Sequence, residues 1–198
     1  MALLATQVPL ETWLCATWED FVQIADDPTS AKLKSYYYNG RMRIEPMSTG
    51  SDHSNDHAII IFALTLFATM KSIPIMAKDG CSYRKIGIQE FQPDASYYVG
   101  EHVNAIPWGT RVVDLNQYPV PDLVIEISDT SIADDKGEKR IQYETLGISE
   151  YWIVDVQNLQ IIAWAIAPDG SSRSIEVSQV LTGLPLATLV EALYRSRQ

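Results

Sequence analysis

Residues 121–155 read PDLVIEISDTSIADDKGEKRIQYETLGISEYWIVD, and the pattern in them decides the architecture. Side chains alternate along a strand, so Leu123, Ile125 and Ile127 share one face. Asp122, Val124, Glu126 and Ser128 share the other. Glu126 is therefore a carboxylate set into an apolar run, and burying it is costly unless something pairs with it. A metal ion, a lysine or a hydrogen-bonding cluster would each meet that need. Ser128 to Ser131 is polar and turn-prone. A helix is expected to start at Asp134 and Asp135, with Asp135 and Glu138 spaced as a capping box. It runs to Leu146, where Gly147 caps it. Lys136, Lys139 and Tyr143 fall on one face of that helix. Residues 151–155, YWIVD, form a short buried strand. Strand, helix and strand of these lengths predict a right-handed parallel crossover. A carboxylate at the strand's carboxyl end then faces a lysine on the next helix, an arrangement suited to metal-assisted hydrolysis.

Working outward, 198 residues suit a single domain with a sizeable core, and 46% hydrophobic with 20% charged residues is an ordinary globular balance. The two cysteines, Cys15 and Cys81, make no disulfide framework, which fits a reducing, intracellular setting. The opening MALLATQVPLETW has neither a basic stretch nor a long apolar core, so a secretory signal is not expected. The apolar run over 58–70 is short for a membrane span and reads as a buried helix. A net charge of −10 argues against broad, non-specific nucleic-acid binding while leaving room for a local basic patch.

In chain order, residues 1–16 read as a loosely packed arm. Thr17 caps a short helix, Trp18–Ala25, with Asp20 as its capping partner. The strongest hairpin signal lies over 34–47, where Asn39-Gly40 marks a type I′ turn. STGSDHSND, residues 48–56, reads as a polar loop. It leads into a helix over 55–71 that is apolar almost all round and is expected to be covered on most sides. Residues 73–98 hold two or three strands, the last running from Phe91 to Val99 with a proline at its start. Residues 100–118 form a long irregular loop carrying Trp108. After the crossover come a hairpin strand over 159–167, a strand over 174–177 and a closing helix over 184–195.

Three groups of residues carry candidate chemistry. Asp122 and Glu126 point the same way but lie about 13 Å apart along the strand, too far to share an ion. A second ligand must come from another strand, and Asp94 is the natural source; two carboxylates on neighbouring strands suit Mg²⁺ or Mn²⁺. The plainer alternative makes Asp94 a turn residue and Glu126 a rim carboxylate. Lys139 is the expected charge partner, with Lys136 one turn earlier as its competitor. His53 and His57 have the i, i+4 spacing of a zinc pair, but HSNDH lacks the glutamate of a metalloprotease helix. A polar helix start beside the substrate suits them better. No glycine-rich phosphate loop and no G-x-S-x-G elbow is present.

Asp94 in QPD, Glu126 in PDLVIEIS, Lys139 in DDKGEKRIQY and the GISEYWIVD that follows resemble the Uma-type family of putative restriction endonucleases. That family is similar to the PD-(D/E)XK nuclease superfamily. The resemblance spans residues 36–167 and is densest over 121–155. It implies an α/β fold: a restriction-endonuclease-like core with a mixed central β-sheet flanked by helices, and an N-terminal β-hairpin extension. The expected organisation is one domain over 1–198, with an arm and short helix over 1–35, the core over 36–167, and a C-terminal strand and helix over 168–198. The resemblance further implies that Asp94 and Glu126 bind Mg²⁺ (or Mn²⁺) and that Lys139 assists water attack on a phosphodiester. Ile127 would add a backbone carbonyl, and His53, His57 or Glu45 would line the cleft. It implies a cytoplasmic, homodimeric endonuclease acting on DNA. The superfamily's lysine normally stands two residues after the acid, where this chain has Ser128; a lysine on the neighbouring helix can reach the same space. The alternatives are a nuclease fold that binds without turnover and a scaffold that dimerises through exposed aromatics such as Trp108 and Tyr118.

Overall fold

The computed structural model describes residues 8–47 and 50–198. The first part of the expected N-terminal arm, and residues 48 and 49 of the expected polar loop, lie outside the described residues. The chain divides into two compact units. One comprises Met1–Ser48, Ser82–Gln92 and Arg111–Tyr118; the other comprises Thr49–Cys81, Pro93–Thr110 and Pro119–Gln198.

The first unit is built on a six-stranded sheet. Its strands are β1 (Leu14–Cys15), β2 (Leu33–Tyr38), β3 (Arg41–Pro46), β5 (Ser82–Lys85), β6 (Gln89–Phe91) and β8 (Val112–Asp114), in the order β1-β3-β2-β6-β5-β8. The β2–β3 hairpin turns on Asn39 and Gly40, with φ of 50° and 71°. Those are the two left-handed positions that a type I′ turn requires. Helix α1 (Trp18–Ala25) begins as its sequence predicts, with the Thr17 hydroxyl accepting from the Asp20 N–H at 3.1 Å. Its apolar face packs Phe21 and Ile24 on Tyr37, Met42 and Ile44. Residues just before it are not a loose arm: the Glu11 N–H donates to the Ile44 carbonyl and β1 pairs with β3. Arg84 bridges Asp26 and the buried Glu90. Burial raises the Glu90 carboxyl above its usual value, against the pull of Arg84.

The second unit carries the crossover. Its sheet runs β12-β11-β10-β9-β7-β4. The strands are β4 (Ile75–Asp79), β7 (Ala95–Val99), β9 (Leu123–Ser128), β10 (Glu150–Asp155), β11 (Gln160–Ile166) and β12 (Ser172–Ser174). β9 and β10 are parallel, whereas β7 meets β9 antiparallel, so the sheet is mixed. Helix α2 (Ser51–Lys71) and helix α5 (Leu186–Ser196) cover one face. There Ile60, Leu64, Leu189 and Leu193 bury Leu123, Ile125, Ile127, Trp152 and Val154. Helix α3 (Ile132–Lys136) contacts β9 and β10, and helix α4 (Glu138–Leu146) reaches them through Tyr143, closing the crossover.

Four further expectations change. Helix α2 starts at Ser51, inside the stretch read as loop, and buries only one stripe of itself: Phe62 and Met70 are 65% and 75% exposed. Phe91 and Val99 lie in different sheets, because Pro93 cannot continue a ladder. The loop over 100–118 contains a 3₁₀ turn, Gly100–Asn104, and the short strand β8. The crossover helix is broken at Gly137, where a Cβ would lie 3.0 Å from the Ala133 carbonyl oxygen. Asp135 is then no capping residue but a buried member of α3.

Candidate active site

The period-two pattern of β9 holds. Leu123, Ile125 and Ile127 enter the core beneath α2, and Glu126 projects to the opposite face, where it is buried. The register of β7 on β9 pairs Ala95 with Ile125. One step further brings Asp94 beside Glu126, at the carboxyl end of β9. Asp94 Oδ2 accepts from the Ile127 N–H at 2.7 Å. The Glu150 N–H donates to the Asp122 carbonyl and the Val156 N–H to the Ser128 carbonyl, so even-numbered carbonyls of β9 face β10. By alternation the Ile127 carbonyl faces the Asp94 side. Two carboxyls and one backbone carbonyl therefore gather at one strand end, from positions 32 residues apart in sequence.

Helix α4 brings the cation. The Lys139 Nζ lies 3.9 Å from Glu126 Oε1 and 3.0 Å from Asp135 Oδ1. Lys139 is 1% exposed, so this ammonium is held inside the unit rather than solvated. Its competitor Lys136 is exposed, because the break at Gly137 turns α3 against α4. Tyr143, on the same face as Lys139, donates its hydroxyl to Glu126 Oε1 at 2.6 Å. Burial first, and then the adjacent Glu126 carboxylate, push the Tyr143 phenol well above its usual value, so it remains a donor. Ser131 Oγ donates to Asp135 Oδ2 at 2.6 Å and stands 3.3 Å from Ser128 Oγ.

The histidines divide. His53 Nε2 stands 3.7 Å from Asp94 Oδ1, and His57 Nε2 stands 3.5 Å from Asp79 Oδ1. Their rings are 6.0 Å apart and serve different carboxylates, so the zinc pair is not assembled. His53 borders the Asp94 side of the site; His57 does not. Glu45 belongs to the first unit, where Arg43 holds it. Asp122 is spent elsewhere, accepting from the Val99 N–H and facing His102 at 2.8 Å. Sequence reasoning missed Asp135 and placed Tyr143 only on the lysine's face. The buried face of a helix that is broken in the middle cannot be read from one uninterrupted period.

Among the described residues no group of three or more histidine, cysteine, aspartate or glutamate side chains forms a ready cage for a metal ion. A cage is not what Mg²⁺ needs: it keeps several waters and takes one or two carboxylates. The Asp94 and Glu126 pair fits that demand, since a carboxylate oxygen engaged by one donor keeps further lone pairs. Two buried carboxyls, Glu126 and Asp135, also stand beside one buried ammonium, with the buried Asp94 just before the neighbouring strand. That chemistry is hospitable to a cation.

Comparison with known proteins bears on this geometry. Residues 18–194 match the Uma2 family, described as putative restriction endonuclease. No curated protein matches the chain. A crystal structure of a putative nuclease belonging to DUF820, from Anabaena variabilis, is similar with a TM-score of 0.63 at 17% sequence identity. The likeness covers 89% of this chain and 98% of that one. At that identity it speaks for the fold, which is the restriction-endonuclease-like α/β arrangement.

Proposed function

We propose, for a chain that belongs to the Uma2 family of putative restriction endonucleases, that it is a Mg²⁺-dependent endonuclease hydrolysing DNA phosphodiester bonds. The observation that supports this reading is the hold of Asp94 on the Ile127 N–H, next to Glu126, with the Lys139 ammonium 3.9 Å from Glu126 Oε1. Asp94 and Glu126 would hold the ion, with the Ile127 carbonyl beside them. A bound Mg²⁺ supplies polarisation of a phosphoryl oxygen and a more acidic water. Lys139 would steady the attacking water or offset charge on the phosphate as the bond breaks. Tyr143 would fix the orientation of Glu126, and the Asp94–Ile127 bond would fix that of Asp94. Mn²⁺ would serve in the same place. The family match spans both compact units, which supports reading residues 1–198 as one working domain. The same proposal takes the enzyme as a cytoplasmic homodimer. No helix among the described residues is long and apolar enough to cross a membrane.

The test is cleavage of supercoiled plasmid in Mg²⁺ by the parent and by Glu126→Ala. The parent is expected to cut and the variant to lose at least about 100-fold in rate with its circular dichroism unchanged. Equal cutting by both would end the assignment. Ser128, standing where the superfamily keeps a lysine, favours a second reading, a nuclease fold that binds without turnover. Calorimetry with Mn²⁺ separates the two: heat of binding at near-neutral pH, lost in Glu126→Ala, supports the enzyme.

A further inference from the structure

We propose that Asp135 is a positioning residue: it holds the Lys139 ammonium off Glu126 and so keeps that carboxylate available. The inference rests on the nuclease reading above and extends it to a residue outside the Asp94, Glu126 and Lys139 set.

A lysine on the strand, two residues beyond the acid, would be aimed by the pleat of the sheet. A lysine on a helix is not. Its four-carbon stem is flexible and its ammonium moves to the strongest anion within reach. In this site that anion would be Glu126. Direct pairing would bring Nζ to hydrogen-bonding range of Oε1, under about 3.0 Å, and neutralise the carboxylate. The observed distance is 3.9 Å, and the closer contact, an ion pair at 3.0 Å without hydrogen-bond alignment, is with Asp135 Oδ1.

Asp135 is built for that hold. It is fully buried, and from the last turn of α3 its carboxylate meets the Lys139 ammonium of α4 across the Gly137 break. Its second oxygen is fixed by Ser131 Oγ. Its backbone carbonyl, beside the Gly137 break, accepts from the Tyr151 hydroxyl at 3.0 Å. Side chain and backbone are thus anchored independently, one to the loop after β9 and the other to β10. Such anchoring exceeds what an ordinary helix salt bridge needs.

Three variants test the role: Asp135→Asn, Lys139→Met and the two combined. Each is measured for Mn²⁺ affinity by calorimetry, for kcat and KM on plasmid, and for thermal melting. In Asp135→Asn, Lys139 should close on Glu126, so Mn²⁺ affinity falls about 10-fold and kcat falls about 100-fold with KM little changed. In the double variant, with no ammonium left to close, Mn²⁺ affinity should return to within about 2-fold of the parent, and kcat should equal that of Lys139→Met. A merely structural aspartate predicts the opposite, damage that persists in the double variant. Ser131→Ala, which removes the Asp135 anchor without touching the pair, should move affinity and kcat the same way by a smaller factor. It keeps the test open if Asp135→Asn does not fold. Asp135→Asn equal to a parent that binds Mn²⁺ and cuts overturns this inference alone. So do losses that add in the double variant. A parent that neither binds Mn²⁺ nor cuts overturns the nuclease reading, and this inference falls with it.

Discussion

At the scale of single residues, the Tyr143 hydroxyl and the Lys139 ammonium approach the same oxygen, Oε1 of Glu126, from one face of one helix. A buried carboxylate that accepts from a neutral donor and faces a cation is stabilised without being fully neutralised. Glu126 was legible from its own neighbours, because a charge in the middle of LVIEIS has no reason to be there unless the fold supplies partners. Asp94 was legible only through a family resemblance and the need for a second strand. Asp135 looked like a helix cap, since the sequence around Gly137 shows no sign of where one helix ends and the next begins. Tyr97 shows the converse case, a buried polar group the fold does not satisfy: among the described residues its hydroxyl has no hydrogen-bond partner. Burial first, and then Asp79, raise that phenol above its usual value of 10.0. In the folded state the proton is therefore retained at pH values where the unfolded chain has lost it. Stability from this group is intact below about pH 10 and declines as pH rises above it, by up to about 1.4 kcal/mol per pH unit. Tyr97→Phe is expected to leave stability at pH 7 unchanged or slightly raised, within about 1 kcal/mol, because an unsatisfied hydroxyl is removed. Between pH 10 and 11 it should lose less stability than the parent. Urea melts at the two pH values check both statements.

At the scale of elements, helix α2 separates what composition tells from what packing decides. SDHSNDHAIIIFALTLFATMK is apolar through most of its length, and that alone suggests cover on every side. The structure buries His53, Asp56, Ile60, Leu64 and Ala68, a ridge close to four residues per step, and leaves Phe62, Leu66 and Met70 exposed. The sequence cannot tell these two sets apart, since both are apolar; the neighbours across the sheet choose between them. The difference is measurable. Leu64→Ala, which opens a cavity against the β9 and β10 core, should cost about 2–5 kcal/mol. Phe62→Ala should change stability by no more than about 0.5 kcal/mol. Chemical denaturation of the two variants gives the comparison directly, and equal losses would mean that the outer stripe is also covered. The two strands of the crossover, by contrast, were readable almost to their ends. β9, the Gly147 cap with φ of 73° and β10 stand where local pattern puts them, because each rests on a period or a turn residue rather than on a distant partner.

At the scale of the whole molecule, the unforeseen feature is the pair of sheets. Strands that follow one another closely, β6 and β7, are sent to different sheets by Pro93. Strand pairing is non-local, and nothing in a single segment announces its partner. The proposed centre nevertheless falls within one compact unit, assembled from the residue before β7, from β9 and from α4, with His53 of α2 at its side. Trp108, 97% exposed, belongs to that unit and Tyr118 to the other. The net charge of −10 gives the molecule no general attraction for DNA, so in the proposed function the burden of substrate engagement falls on the proposed metal site and its immediate surroundings. The central claim is then that two acidic side chains share one divalent ion. The direct measurement is diffraction at the manganese absorption edge from crystals soaked in Mn²⁺. The account predicts one anomalous peak in contact with carboxylate oxygens of both Asp94 and Glu126. A well-ordered site with no peak there, or a peak that touches only one of the two, would contradict it.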